Sequence, residues 1–245
     1  MTRYTYDLHI HSCLSPCADD DMTPANIAGM ASLAGVQLLA LTDHNSCGNC
    51  EPFMKACRQY GIVPVPGMEL TTAEEIHLVC LFPDLAPALA FDREVKAHLL
   101  PVKNRPEVFG NQLMVDERDE IVGEEELLLL SATSLQLEDA YALALYYGGA
   151  AYPAHIDRSA NGIIAILGTM PPEPEFPAVE LRDGSNLETY TGRYGLSGKH
   201  VLCSSDSHNL WTVGDCGASI ELDDEPYSSA RVRGALIEML RGDAP

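Results

Sequence analysis

The chain has 245 residues, 46% of them hydrophobic, with a mean hydropathy of −0.03. That is enough for one large single-core domain such as a βα barrel, or for two small ones. Its 15 basic and 36 acidic residues give a formal charge of −21, which opposes binding to long polyanions, because counterion release needs a dense Lys/Arg track. No long nucleic acid is therefore expected as a partner; a small phosphorylated substrate is, where bound cations dominate the local field. No apolar run approaches the roughly 20 residues of a membrane helix, and no basic segment precedes an apolar one at the start. No membrane partner is expected, and the expected location is the cytoplasm. There the eight cysteines read as thiols or ligands, not as a disulfide framework.

In residues 4–11, Asp7, His9 and His11 alternate with Leu8 and Ile10, the period of a strand. Two imidazoles at i and i+2 can clasp one metal ion, with Asp7 on the same face to orient a ring. The alternative is a solvent-facing edge strand with chance histidines. Residues 12–21 hold too many acids and turn formers for regular structure, and Asp19-Asp20-Asp21 alone reads as a solvated turn. Thr23-Pro24 starts a helix, Ile27, Met30, Ala31 and Ala34 form its apolar stripe, and Gly35 ends it. Residues 36–41 are almost uninterruptedly apolar, the mark of a parallel strand buried on both faces, and run into Thr42-Asp43-His44-Asn45.

The pattern repeats with a helix at 51–60 and a strand at 62–65 followed by Pro66-Gly67-Met68-Glu69. A strand at 76–82 carries His77, and a helix follows at 87–99. Residues 112–122 alternate around Asp116-Glu117-Arg118-Asp119, which predicts a β-hairpin projecting from the domain. Helices at 124–130 and 135–147 come next, the second stopped by Gly148-Gly149. Residues 150–153 lead into Ala154-His155. Strands at 178–181 and 200–203 follow, the latter running into Ser204-Ser205-Asp206-Ser207-His208, then a strand at 218–222 and a helix at 227–241. No internal repeat or linker interrupts the chain, so residues 1–245 read as one domain.

Strand–helix alternation at this length predicts a parallel barrel or a doubly wound sheet. Polar clusters follow the strands, and in βα barrels the loops at the strands' C-terminal ends build the active site. Six segments appear in order: Asp7-Leu8-His9-Ile10-His11-Ser12, Leu41-Thr42-Asp43-His44-Asn45, Gly67-Met68-Glu69, Ile76-His77-Leu78-Val79, Ala154-His155 and Ser205-Asp206-Ser207-His208. Together they resemble the PHP (polymerase and histidinol phosphatase) superfamily. The resemblance implies an α/β fold, a distorted (β/α)7 TIM-like barrel with its metal site at the C-terminal mouth. It implies two to three divalent ions, for which an imidazole and carboxylate donor set suits Zn, Mn or Fe.

It also implies the ligands, residue by residue: His9, His11, Glu69 and Asp206 for one metal; Glu69, His77 and His155 for a second; Asp19, His44 and His208 for the third. Asp19 stands in a loop about three residues longer than the family's, with Asp20 and Asp21 as rivals. Asp7 and Asp43 are candidates to orient ligating rings, or they cap turns. His98 and His200 fall outside the set. Cys13, Cys17, Cys47 and Cys50 lie in neighbouring loops, where unligated thiols or a four-thiolate metal site are both open. Arg158 is placed to hold a substrate phosphate, ahead of Arg182, Arg193 and Lys199. The expected activity is a metal-dependent phosphatase acting on a small phosphomonoester, histidinol-phosphate- or nucleotide-like, by a metal-bound hydroxide, with Glu69, Asp206, His208 and Arg158 in the reacting centre. The alternatives are a nuclease or cyclic-phosphodiester hydrolase, and a non-catalytic metal-stabilised scaffold.

Overall fold

The computed structural model describes residues 1–243. In chain order they form β1 (Thr2–Asp7), α1 (Pro24–Leu33), β2 (Leu38–Leu41), α2 (Cys50–Gln59), β3 (Val63–Thr71), β4 (His77–Leu81), α3 (Leu85–Ala97), α4 (Pro106–Phe109), β5 (Leu113–Val115), β6 (Ile121–Glu124), α5 (Leu137–Tyr146), β7 (Ala150–Pro153), α6 (Ile163–Leu167), β8 (Ala178–Leu181), α7 (Leu187–Tyr194), β9 (His200–Cys203), β10 (Ser219–Leu222) and α8 (Ser229–Leu240). Six strands make one sheet in the order β10-β1-β2-β3-β4-β7, while β8 and β9 form a separate parallel pair and β5–β6 a hairpin. The sheet curls. Ile156, just beyond β7, donates to the Glu180 carbonyl of β8, and His11, beyond β1, donates to the Ser207 carbonyl beyond β9. The β8–β9 pair thus lies across the gap between β7 and β1, joined to each by these backbone bonds and by a few bonds to side chains in place of a continuous ladder.

The sheet is mixed where strand–helix alternation predicts parallel strands. β1, β2 and β3 are parallel, but β4 is antiparallel to both β3 and β7. Only residues 72–76 separate β3 from β4, far short of the dozen or more a parallel crossover needs. β3 also runs on through Pro66-Gly67, where the sequence suggests that it ends. Gly67 permits this, since a Cβ there would come within 2.7 Å of the Cys80 carbonyl oxygen of β4.

Residues on both faces of the central strands are apolar because both faces are covered. Leu38 and Ala40 of β2 join Val63, Val65, Val79 and Tyr152 in an inner core, which α8 closes with Val232, Leu236 and Leu240. Leu39 and Leu41 face outward into a larger core with Ile27, Phe53, Phe91 and Ala140 of the surrounding helices. α8 therefore plugs one end of the curl and leaves the C-terminal ends of β1 and β2 free for polar groups. Residues 124–130 are not helical as expected. The Gln112 side chain takes up the Glu125 and Leu127 carbonyls and the Leu129 N–H, and Asn45 takes the Leu129 carbonyl. Those side chains satisfy the backbone and remove its need for a helix. Among the described residues, no helix is long and apolar enough to cross a membrane.

Candidate metal centre

β1 ends at Asp7, and the alternation ends with it. Leu8 packs in the inner core and Ile10 in the outer one, which turns His9 and His11, both fully buried, to the mouth of the curl. Of the two roles open to Asp7, orienting a ring or capping a turn, the second is found: it accepts the backbone N–H groups of Ser205 and Gly214 at 3.0 and 2.9 Å, so it fastens the turn that carries Asp206 and His208 onto β1. Burial pushes its carboxyl up to about 6. Asp43 does act on an imidazole, through an intermediary. Ser15 donates its hydroxyl proton to Asp43 at 2.7 Å and sits 3.0 Å from His11 Nδ1; its oxygen is then free to accept only, which makes His11 Nδ1 the donor.

Glu69 lies at the centre. Its Oε1 is 2.8 Å from His77 Nδ1, 3.0 Å from His155 Nε2 and 3.3 Å from His9 Nε2. Its Oε2 is 3.1 Å from His44 Nδ1 and 3.3 Å from His11 Nε2. The strand places it there by pairing with the loop after β2, where the Glu69 N–H reaches the Thr42 and Asp43 carbonyls and Asn45 N–H returns to the Glu69 carbonyl. Asp206 Oδ1 stands 3.5 and 3.4 Å from the Nε2 atoms of His9 and His11, and Oδ2 accepts from Arg158 Nη1 at 2.8 Å. His155 and Asp206 both have left-handed backbones, φ +29° and +49°, a conformation that costs a non-glycine residue of order 1–3 kcal/mol and persists where the surroundings impose it.

The donor chemistry fits a cation. His9 Nδ1 donates to Glu180 Oε1 at 2.8 Å and His11 Nδ1 to Ser15, which leaves both Nε2 atoms as lone pairs. Those lone pairs lie 3.3 Å apart and face the carboxylates of Glu69 and Asp206. Acceptors so placed in a dry site repel one another unless a proton or a metal stands between them. The protonation tendencies say the same. Although burial opposes it, Glu180 and Glu69 hold the His9 imidazole well above its ordinary value, and Asp206 and Glu69 raise His11 to about 9. Burial lifts the Glu69 carboxyl, yet His77, His9 and His44 overcome that and hold it well below the usual carboxylate range. Burial pushes His44 well down and His208 to about 4, so both are neutral donors at neutral pH.

Three groups carry metal-ligand spacing among the described residues: His9, His11 and Asp206; His44, Glu69 and His77; His11, His44 and His208. Eight of the nine residues expected as ligands thus converge, with His11 and His44 each shared between two groups and His155 against Glu69. Asp19 stays apart. Its backbone N–H is tied to the His208 carbonyl, but its side chain is exposed and makes no hydrogen bond or ion pair among the described residues. Asp20 is held by Asn111. Of the two readings open for the cysteines, the four-thiolate site does not assemble. Cys13 faces the Leu113 carbonyl, while Cys47 and Cys50 both donate to the Gly67 carbonyl. Cys17 alone of the four lines the mouth, a cavity of about 320 Å³ that also touches His44, His77, Leu130, Arg158, Asn161 and His208. His98 pairs with Ser134 and His200 is exposed, while Arg182 and Arg193 are exposed and Lys199 is taken up by the Phe176 carbonyl.

Sequence reasoning missed Glu180, which holds His9 and also accepts the His155 N–H at 3.2 Å. A signal existed: it is a lone carboxylate in Ala178–Leu181, a strand buried throughout. Ser15 and Asn161 carried none, since isolated Ser and Asn in loops are ordinary turn residues.

The fold and parts of the sequence have known counterparts. Eighty-four residues are 36% identical to a 5'-3' exoribonuclease of Haemophilus influenzae, covering 33% of this chain and 29% of that protein. The lesion-specific endonuclease PfuEndoQ of Pyrococcus furiosus superposes with a TM-score of 0.66 at 17% identity, over 99% of this chain and 57% of that one. A candidate metal-dependent phosphoesterase of Bifidobacterium adolescentis superposes at 0.52 and 16%, over 83% and 87%. This chain thus spans little more than half of PfuEndoQ and less than a third of the exoribonuclease. Endonuclease Q has also been crystallised with a 27-mer duplex, an abasic lesion at its active site, and that structure superposes at 0.55 and 18%, over 85% of this chain and 50% of that one. It overturns the exclusion of nucleic acid drawn from composition. Net charge is summed over the whole surface, whereas a strand meets only the field at the mouth. The PHP domain model matches residues 7–146, more than half of the chain, and its match contains the segments that bring His9, His11, His44, Glu69 and His77 together; the chain belongs to the PHP domain family.

Proposed function

We propose that this chain is a metal-dependent phosphoesterase, acting as one PHP-type domain whose curled sheet, with β8–β9 across the gap, is a distorted (β/α)7 barrel. One observation carries the proposal: a single buried carboxylate, Glu69, lies within 3.3 Å of five imidazoles at the mouth, two of which direct lone pairs at it. His9, His11, His44, Glu69, His77, His155, Asp206 and His208 would hold two to three divalent ions, with Zn, Mn and Fe the metals that suit these donors. When bound, such ions supply Lewis-acid polarisation of a phosphoryl oxygen and lower the pKa of water.

The remaining roles fall to the chain's own groups. Glu180 and Ser15 fix the tautomers of His9 and His11, so that both rings offer Nε2 without rotating. Glu69 bridges. Arg158, 44% exposed at its side chain and anchored through Asp206, presents the rest of its guanidinium to the cavity and would grip a phosphoryl oxygen there. The cavity suits a small phosphomonoester, and the burial of its floor excludes bulk water from the reacting centre.

A second reading, hydrolysis of a nucleic-acid phosphodiester, is favoured by the likeness to endonuclease Q and to the exoribonuclease. Turnover of an aryl phosphomonoester, a bis-aryl phosphodiester and a 5'-phosphorylated oligonucleotide with added Mn²⁺ or Zn²⁺ separates the two. The first reading expects the monoester to be preferred, with activity abolished by a chelator and two to three metal equivalents by elemental analysis. Less than one equivalent under metal-replete conditions, with no turnover of any substrate, would leave a scaffold instead of an enzyme.

A further inference from the structure

The loop after β1 contains a donor that the expected ligand set does not use. Ser15 to Ala18 is a tight turn, closed by the Ala18 N–H on the Ser15 carbonyl. Each end of this turn is tied to a different histidine of the mouth, one through its ring and the other through its backbone carbonyl. Ser15 receives His11 Nδ1, and the Asp19 N–H binds the His208 carbonyl. The rings of His11 and His208 stack with centroids 4.2 Å apart, and Cys17 lies two residues from either anchor. Gly110 clamps the turn from outside. It has φ +101°, and any Cβ there would run into the Pro16 carbonyl. The result is that Cys17 lines the cavity with His44 and His208, while Asp19 does not.

The three imidazoles on this side ask for a further donor. His11, His44 and His208 offer nitrogens within 4.8 Å of one another, and His44 Nδ1 is buried without a hydrogen-bond partner among the described residues, since Glu69 Oε2 at 3.1 Å lies outside bonding geometry. Three nitrogens leave one position of a tetrahedral ion open. Cys17 is exposed at the rim of the same cavity, and its sulfur stands outside the group that the three nitrogens form within 4.8 Å, so binding would have to draw it inward.

We propose that Cys17, not Asp19, supplies the fourth donor to a cation held by His11, His44 and His208. The inference rests on reading the mouth as a metal centre, and narrows it. On binding, the S–H bond of Cys17 breaks, its proton passes to solvent, and a sulfur–metal bond forms with no change of oxidation state. A thiolate beside imidazoles selects Zn or Fe(II) over Mn and Mg, so this position differs in metal preference from the all-N/O positions around Glu69.

The test is cobalt(II) loading of the metal-depleted full chain in the presence of a non-thiol reductant, followed by absorption spectroscopy. The wild type should show a near-ultraviolet sulfur-to-cobalt charge-transfer band beside the visible d–d bands. Cys17→Ser should lose that band and keep the d–d absorption of the other positions, while Asp19→Asn keeps both. On the zinc-loaded protein, X-ray absorption should show sulfur at about 2.3 Å, again lost only in Cys17→Ser. Cobalt binding without the charge-transfer band, a band that survives Cys17→Ser, or loss of bound cobalt in Asp19→Asn alone would each overturn the assignment and leave the metal centre standing. A chain that binds no cobalt would overturn both.

Discussion

Replacing Glu180 by glutamine removes one charge from a site where the geometry states what that charge does. Oε1 accepts His9 Nδ1 at 2.8 Å and the His155 N–H at 3.2 Å, and both partners are fully buried. A glutamine carbonyl can still accept both bonds, so the change turns a charge-assisted hydrogen bond, worth about 1.5–3 kcal/mol, into a neutral one worth about 0.5–1.5. The difference of about 1–1.5 kcal/mol is roughly tenfold in an equilibrium constant, at the low end of the 10- to 100-fold that outer partners of metal ligands command. Competition with a chelator should therefore show about tenfold weaker binding at the position His9 serves, while the position at His44 and His208 keeps its affinity and its cobalt spectrum. Glu180→Ala orphans both donors at about 1–3 kcal/mol each, a total of about 2–6 kcal/mol. At about 2–4 °C per kcal/mol for a chain of this size, melting should fall by at least about 4 °C. Wild-type metal affinity in Glu180→Gln, or an equal loss at every position, would refute the argument that Glu180 acts through His9.

Four further outcomes follow from the geometry. Glu69→Gln should lower occupancy at two positions and cut kcat far more than it shifts the melting temperature; near-wild-type kcat would displace the bridge. If Cys17 is the donor, Asp19→Asn, Asp20→Asn and Asp21→Asn should each leave kcat/KM within about threefold of wild type, as expected of surface groups outside the site. Arg158→Ala should lose about 10- to 150-fold in kcat/KM, the equivalent of a charge-assisted bidentate contact of about 1.5–3 kcal/mol, without losing metal; Arg158→Lys should recover only part of it, and full recovery would mean that the fork is unused. The log–log salt slope for substrate binding should be shallower than about −3 for a small phosphomonoester, and a steeper slope would mean several phosphates engaged at once.

Much of the site is legible because imidazole is rare and its placement is local. Histidine pairs or single histidines at the ends of apolar runs mark His9, His11, His44, His77, His155 and His208, and a strand buried on both faces betrays itself by composition at 36–41. What is not legible is anything decided by long-range pairing. Whether β4 runs parallel or antiparallel depends on the shortness of residues 72–76, and the strand's own pattern is the same either way. The non-helical course of 124–130 is set by Gln112 and Asn45, distant in sequence, against a local propensity that favours helix. Glu180 lies 171 residues from His9, and the face of β1 on which Asp7 falls depends on where the strand stops, which alternation alone cannot tell. The loop from Cys13 to Asp21 is the hardest case. Three adjacent carboxylates match a ligand by type, but a pinned turn, closed by Ser15 and held by Gly110, brings a thiol to the cavity instead.

Charge shows the same division between sum and place. The formal −21 is spread over 245 residues, while a phosphate in the mouth senses chiefly groups within a Debye length, about 8 Å at physiological salt. There the fixed charges are the carboxylates of Glu69, Asp206, Glu180 and Asp43 and the guanidinium of Arg158, surrounded by imidazoles. Each divalent ion would contribute +2, so two ions would outweigh the net charge of these groups and make the mouth attractive for phosphate. The acidic surface beyond the Debye length acts on whatever part of a substrate remains outside. A long duplex, such as the 27-mer that endonuclease Q holds, and a strand that enters by one end differ in how many phosphates they bring to the protein. Composition does not discriminate between small molecules and nucleic acids. The number of phosphates engaged decides the geometry, and that number is what the salt slope reads.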